Sequence, residues 1–216
     1  MKYWISIPIC ILMLIYCQTE NELTVAQKIA NAHGFENWKD VSQVNFTFRV
    51  DTDNIEGKER IWSWFPKKDS ISMQTSGKSF NYKRSDLSHA TVVADRAFIN
   101  DKFWAFIPFQ LVWDKNLTIS EPVKIKAPVS NVEMNMITVL YPEEGGYTPG
   151  DAYDLFYTDD FIIQEWQFRK GNTETAMLTN TFENYGDYSG LKIANDHKKA
   201  DENWNLLTTN ISIIKN

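Results

Sequence analysis

Hydrophobicity of period two sets in at residue 43, and it constrains the fold more than any other feature. Val44, Phe46, Phe48 and Val50 alternate with Asn45, Thr47 and Arg49. This is the pattern of a strand with one face on a core and the other toward water. Short apolar runs then recur at Arg60–Phe65, Ser70–Gln74, Ser79–Lys83, Thr91–Ala94 and Val123–Lys126. They continue at Met134–Tyr141, Ala152–Tyr157, Phe161–Arg169, Met177–Tyr185 and Leu206–Ile214. Turn residues separate the runs, and Thr158-Asp159-Asp160 is placed to reverse the chain into a hairpin. No strand–helix–strand repeat is visible, so a meandering antiparallel sheet is expected.

Two segments leave this rhythm. Thr24-Val25-Ala26-Gln27 is a capping box, and Leu23, Ala26, Ile29, Ala30 and His33 then fall at helical spacing before Gly34. His33 is placed to complement the dipole at that helix's C-terminus. Asn37–Val41 adds a short second turn. Asp95 to Pro108 carries Ala97, Phe98, Asp101, Trp104 and Ala105 at mixed spacing, which reads as a helix inserted between strands. The expected fold class is α+β. A strongly curved antiparallel sheet, a half-barrel, would hold the N-terminal helix and the helical insertion on its concave face. A β-sandwich or closed barrel is the alternative. Residues 23–216 are expected to form one domain, long enough for a sizeable core.

The first sixteen residues read as a signal peptide: Lys2 gives a positive start and Tyr3–Tyr16 is almost unbroken apolar. The run is shorter than the roughly 20 residues a spanning helix needs. No cysteine follows Cys17, and residues 17–22 form a polar, acidic tether. Leu14-Ile15-Tyr16-Cys17 resembles the signal of bacterial lipoproteins, with Tyr16 where that family has a small residue. The resemblance implies a diacylglycerol thioether on Cys17 and an outer-membrane lipoprotein of the cell envelope, facing the periplasm or the exterior.

The net charge is −6, and this leaves no broad cationic footprint for nucleic acid. Motifs for catalysis are incomplete. Gly77-Lys78-Ser79 lacks the upstream glycine of a phosphate-binding loop, and Gly186–Gly190 displaces the serine of a nucleophile elbow by one position. His33, His89 and His197 have no metal partner at helical or hairpin spacing. The acidic loop of Asp51, Asp53, Asn54 and Glu56 departs from EF-hand spacing. No enzyme activity, cofactor or metal is therefore expected.

Aromatic residues make up 14% of the chain: eight Trp, nine Tyr and thirteen Phe. Trp62 and Trp64 share one strand face while Ile61 and Phe65 share the other, so neither face is polar. Ala152, Asp154 and Phe156 oppose Tyr153, Leu155 and Tyr157 in the same way. Phe103–Phe109 is a dense aromatic run ahead of Trp113. One reading is an ordinary core beneath a sheet covered on both sides. The other is a concave face lined for an acyl chain, with Trp62, Trp64, Trp104, Phe106, Trp113, Phe156 and Trp166 as candidate ligand contacts.

The arrangement resembles the periplasmic lipoprotein-carrier fold, an antiparallel half-barrel closed by helices. Ile29–Trp38, Ala97–Trp104 and Gly150–Tyr157 also look like segments of uncharacterised secreted bacterial lipoproteins. A lipid anchor on Cys17 is at odds with free shuttling. The expectation is therefore an anchored envelope protein that binds a lipid or acyl chain. An interaction module of an envelope or surface complex is the second reading, and a hydrolase whose residues converge only in space is the third.

Overall fold

The computed structural model describes residues 22–200 and 202–216. The leader, Cys17 and the tether as far as Asn21 lie outside them. In chain order the elements are α1 (Val25–Ala32), β1 (Val41–Thr52), β2 (Arg60–Phe65), β3 (Ser70–Thr75), β4 (Lys78–Lys83) and α2 (Val92–Trp113). Then come β5 (Thr118–Ile119), β6 (Val123–Lys126), β7 (Glu133–Leu140), β8 (Ala152–Tyr157), β9 (Ile163–Arg169) and β10 (Leu178–Thr181). The chain ends with β11 (Gly186–Tyr188), β12 (Leu191–Ile193), β13 (Asp196–Lys198) and β14 (Trp204–Lys215).

The strands form two antiparallel six-stranded sheets and the β11–β12 hairpin. One sheet runs β13-β14-β1-β2-β3-β4; the other runs β10-β9-β8-β7, with β5 and β6 both along the outer edge of β7. A bridge between Glu183 and Asp196 links the sheets where β10 meets β13, and the Lys198 amide donates to Thr181 Oγ1 at 3.1 Å. At the opposite ends β4 and β5 do not pair among the described residues. The curved wrap stays an open half-barrel, as the alternation of β1 and its successors implies.

Local sequence explains the entry. Gln27 N–H donates to Thr24 Oγ1 at 3.2 Å, and Thr24 N–H donates to Gln27 Oε1 at 2.9 Å, so the capping box forms. Gly34 ends α1 in the left-handed region at φ 88°. A Cβ there would lie 1.8 Å from the Gly190 carbonyl oxygen, so only glycine permits this approach. The Phe35–Asp40 turn then feeds β1.

The structure corrects several expectations. Thr91–Ala94 is not a strand: Val92 begins α2, after Ser88 and Thr91 exchange backbone and hydroxyl hydrogen bonds. The helix also does not stop at Pro108. The proline cannot donate to the Trp104 carbonyl, so the chain kinks at Phe106 (φ −127°, ψ 24°) and resumes helical geometry to Trp113. The strand expected over Met177–Tyr185 shortens to β10. The brief strands β5 and β11–β13 have no period long enough to be read from sequence.

α2 is buried on nearly every side and lies against the inward faces of both sheets. Phe98 meets Trp62 at 5.4 Å and Phe106 meets Phe46 at 6.0 Å on one flank. Phe103 meets Tyr153 at 4.7 Å and Trp104 meets Trp166 at 4.3 Å on the other. Burying each such ring contributes roughly 1.5–3 kcal/mol. Two helix carboxylates enter this core with partners. Asp101 accepts from Arg60 Nε at 2.6 Å, Arg60 Nη2 at 2.7 Å and Trp62 Nε1 at 2.8 Å. Asp95 accepts from Arg84 Nε at 3.0 Å and the Tyr147 hydroxyl at 3.0 Å.

Two histidines are fully buried. His33 does not meet the helix dipole as a charge. Burial, reinforced by nearby Lys192, pushes its pKa down to about 4, and Nδ1–H donates to the Ile29 carbonyl at 2.8 Å. His197 packs between Trp104 (5.4 Å) and Phe182 (4.5 Å), and neither ring nitrogen makes a hydrogen bond of full geometry. Burial takes its pKa to about 4 against the upward pull of the nearby Thr181 backbone, Asp196 and Glu183. Between the unfolded value of 6.5 and the folded value of about 4, only the unfolded chain takes up these protons. Stability is therefore expected to fall on acidification through that window, by on the order of 1.4 kcal/mol per pH unit for each histidine. Urea titrations from pH 7 downward should show a shallower loss for His197→Phe, whose ring suits both aromatic neighbours. An unchanged slope would contradict the assignment.

Candidate functional site

α2 separates the aromatic interior into two flanks, and the expected ligand contacts divide between them. Trp62, Trp64, Phe106 and Trp113 belong to the flank under β1 and β2, where Trp38 lies 4.5 Å from Trp113 and 5.2 Å from Trp64. Trp62 and Phe106 have no exposure. These rings fill the concave face and pack on one another. Trp104 and Trp166 lie on the second flank, under β8 and β9.

Phe156 joins neither. It is buried on the outer face of β8, opposite Met136 and Glu165 in the register. The Glu165 carboxylate accepts from the Val129 and Ser130 amides at 2.7 and 2.9 Å, so the loop ahead of β7 covers that face. Asp154, on the same face, accepts from Arg169 Nε at 2.7 Å and from Thr138 Oγ1 at 2.6 Å. β8 is therefore covered on both faces. On β2 the outer face is barer, with Ile61 43% exposed.

An open groove of about 1040 Å³ runs along the second flank. Its apolar floor is Phe103, Trp104, Tyr153, Trp166, Phe168 and Leu178. Tyr153 pairs in register with Phe168, and Leu155 with Trp166, so period-two side chains of two adjacent strands pave the floor. Their rings are close: Tyr153 lies 5.1 Å from Phe168 and 5.2 Å from Trp166. Met177, 65% exposed, stands at the margin.

The rim is polar. Lys102 lies over the faces of Trp64 (5.7 Å) and Trp113 (5.5 Å). The Gln110 amide, oriented to satisfy both neighbours, accepts from Lys102 Nζ at 3.1 Å and donates to Asp114 Oδ1 at 3.1 Å. Asp114 Oδ2 also accepts from the Tyr141 hydroxyl at 2.7 Å. Burial lowers the Lys102 pKa to about 8, with Asp114 and Asp95 opposing and Arg84 assisting. Arg96 covers the Tyr147 ring at 5.8 Å.

No family model matches the chain, and no curated protein matches it. Solved structures do. A LolA superfamily protein from Nitrosomonas europaea superimposes with a TM-score of 0.53 at 11% identity, covering 90% of this chain and 96% of that one. The fold is the LolA-like half-barrel. A DUF1329 family protein from Desulfovibrio piger is also similar, at 7% identity and a TM-score of 0.45, covering 88% of this chain and 90% of that one. At such identities the likeness concerns the path of the chain and transfers no side chain.

Sequence reasoning missed Phe103, Tyr153 and Phe168 as groove residues, along with the basic rim. The signal for the first three was present: Trp166 and Phe168 are two apart on one strand, and Tyr153 is their cross-strand neighbour. Other motifs resolve into turns. Gly77 makes the β3–β4 turn at φ 76°, and Gly190 the β11–β12 turn at φ 84°. In the acidic loop, Asp51 accepts from Arg49 Nη2 at 3.1 Å and from the Gly57 amide at 3.0 Å. Among the described residues no cluster of three or more His, Cys, Asp or Glu side chains is set to hold a metal. No helix among them is long and apolar enough to cross a membrane.

Proposed function

We propose that this chain is a lipid-anchored protein of the cell envelope that binds a lipid or acyl chain in the groove beside α2. The observation that carries the reading is the continuous floor of Phe103, Tyr153, Trp166 and Phe168 in an open groove of about 1040 Å³. That volume suits a small lipid or acyl-chain ligand. Each buried methylene contributes about 0.8 kcal/mol, so a dozen give on the order of 10 kcal/mol before the costs of binding. Such binding needs no catalytic group. The concave face under β1 and β2 is an unsuitable host, because Trp62 and Phe106 already fill it.

The second reading, an interaction module, would be favoured by a flat aromatic patch. Among the described residues, Tyr147 is the one aromatic side chain in the set of exposed large apolar residues. The apolar-ligand reading is therefore preferred. The anchor on Cys17 is part of the same proposal and explains how a binding domain would stay at the membrane.

Native mass spectrometry of protein extracted from its own membranes is expected to show a co-purifying lipid. Leu178→Lys places a charge in the groove and should reduce that adduct about tenfold or more. Repeated recovery of empty wild-type protein would contradict the reading. For the anchor, Cys17→Ser should leave the precursor unprocessed or release the domain in soluble form. Normal maturation with membrane retention would contradict it.

A further inference from the structure

We infer that the groove selects anionic amphiphiles, with the acidic headgroup against the Lys102 ammonium and the chain on the Phe103–Tyr153–Trp166–Phe168 floor. This rests on the reading of the groove as a binding site and adds the chemical class of the ligand.

Three observations converge. The first is charge sorting. The chain carries a net charge of −6, yet the groove lining has five basic side chains, Arg84, Arg96, Lys102, Lys115 and Lys170, against the acidic Asp114, Glu144 and Asp151. The second is that two of these three carboxylates, Asp114 and Asp151, are otherwise engaged. Asp114 accepts from Tyr141 and Gln110, and Asp151 accepts from the Gly171 amide at 2.8 Å. Among the described residues, Lys102, Arg96 and Lys115 make no ion pair, whereas Arg84 is held by Asp95. The third is the seat of Lys102. It is partly buried, and its charge is held by two indole faces and an amide oxygen. Asp114 and Asp95 act on this ammonium only at longer range, and an ammonium withdrawn from water without a direct ion-pair partner is a strong site for an incoming anion.

Lys102 is also placed at the junction of the two surfaces. It rises from α2 one residue before Phe103, and Phe103 begins the apolar floor. A headgroup at the ammonium would leave a chain running along β8 and β9. With a pKa of about 8 the lysine is mostly charged at neutral pH, and an anion beside it would hold it in that form. Arg96 and Lys115 supply the surrounding positive field.

The test compares dodecanoate with dodecanol, which share a chain and differ in headgroup charge. Both are titrated below their aggregation limits, with tryptophan fluorescence as the readout. Wild-type protein is expected to bind dodecanoate about tenfold or more tightly than dodecanol, the scale of one charge-assisted contact. Lys102→Met keeps the packing on Trp64 and Trp113. It should erase that preference by weakening dodecanoate about tenfold more than dodecanol. Equal binding of the two ligands by the wild type would overturn the headgroup inference and leave the apolar-ligand reading standing. So would a preference that survives in a folded Lys102→Met protein. Binding of neither ligand would overturn both.

Discussion

The structure depends on one constraint: from Phe103 to Leu111 α2 is buried on every side, so that stretch must be surrounded. A helix of that kind has no face for water, and an open sheet gives it cover only by curving around it. The two sheets do so, joined at the Glu183–Asp196 bridge and apart at β4 and β5. The helix's two buried carboxylates set its position. Asp101 is bound by Arg60 and Trp62 of β2, while Asp95 is bound by Arg84 beyond β4 and by Tyr147 of the loop before β8. Removing a partner from such a pair leaves a buried charge uncompensated, at a cost of about 3–5 kcal/mol.

Seating α2 in the hollow decides which flank of the interior stays open. The concave face of β1 and β2 is consumed by Phe46, Trp62, Phe98 and Phe106. On the other flank the helix leaves a groove beside β8 and β9, edged with basic residues. The kink at Phe106 lies between the two regions: Trp104 before it faces Trp166, whereas Phe109 and Trp113 after it face Trp38. The segment before the kink already touches both flanks, because Phe98 packs on Trp62 and Trp64.

Much of the fold was legible in the sequence because it follows from period. The alternation of Val44, Phe46 and Phe48 places them on the core face, and the capping box and Gly34 bound α1 as read. The inserted helix was visible as a break in the strand rhythm. Its ends were not, because β-branched Val92 and Val93 mimic a strand and Pro108 mimics a terminus. The groove was legible only in part. Trp104 and Trp166, singled out by residue type, line it. Phe156 does not, because type alone does not say which face of β8 looks inward. Lys102 carried no local signal, since its character comes from Trp64, Gln110 and Trp113, all brought to it by the fold. Its surroundings could be seen only once the distances were known.

The account's central claim is that ligand lies beside α2 while the helix stays seated. Photo-cross-linking with a diazirine-bearing acyl chain, followed by peptide mapping, tests this directly. Labelling is expected on Phe103, Tyr153, Phe168 and Met177. Labelling concentrated on Phe46, Trp62 and Phe98 would mean that the helix leaves the half-barrel to admit the ligand, and would contradict the account.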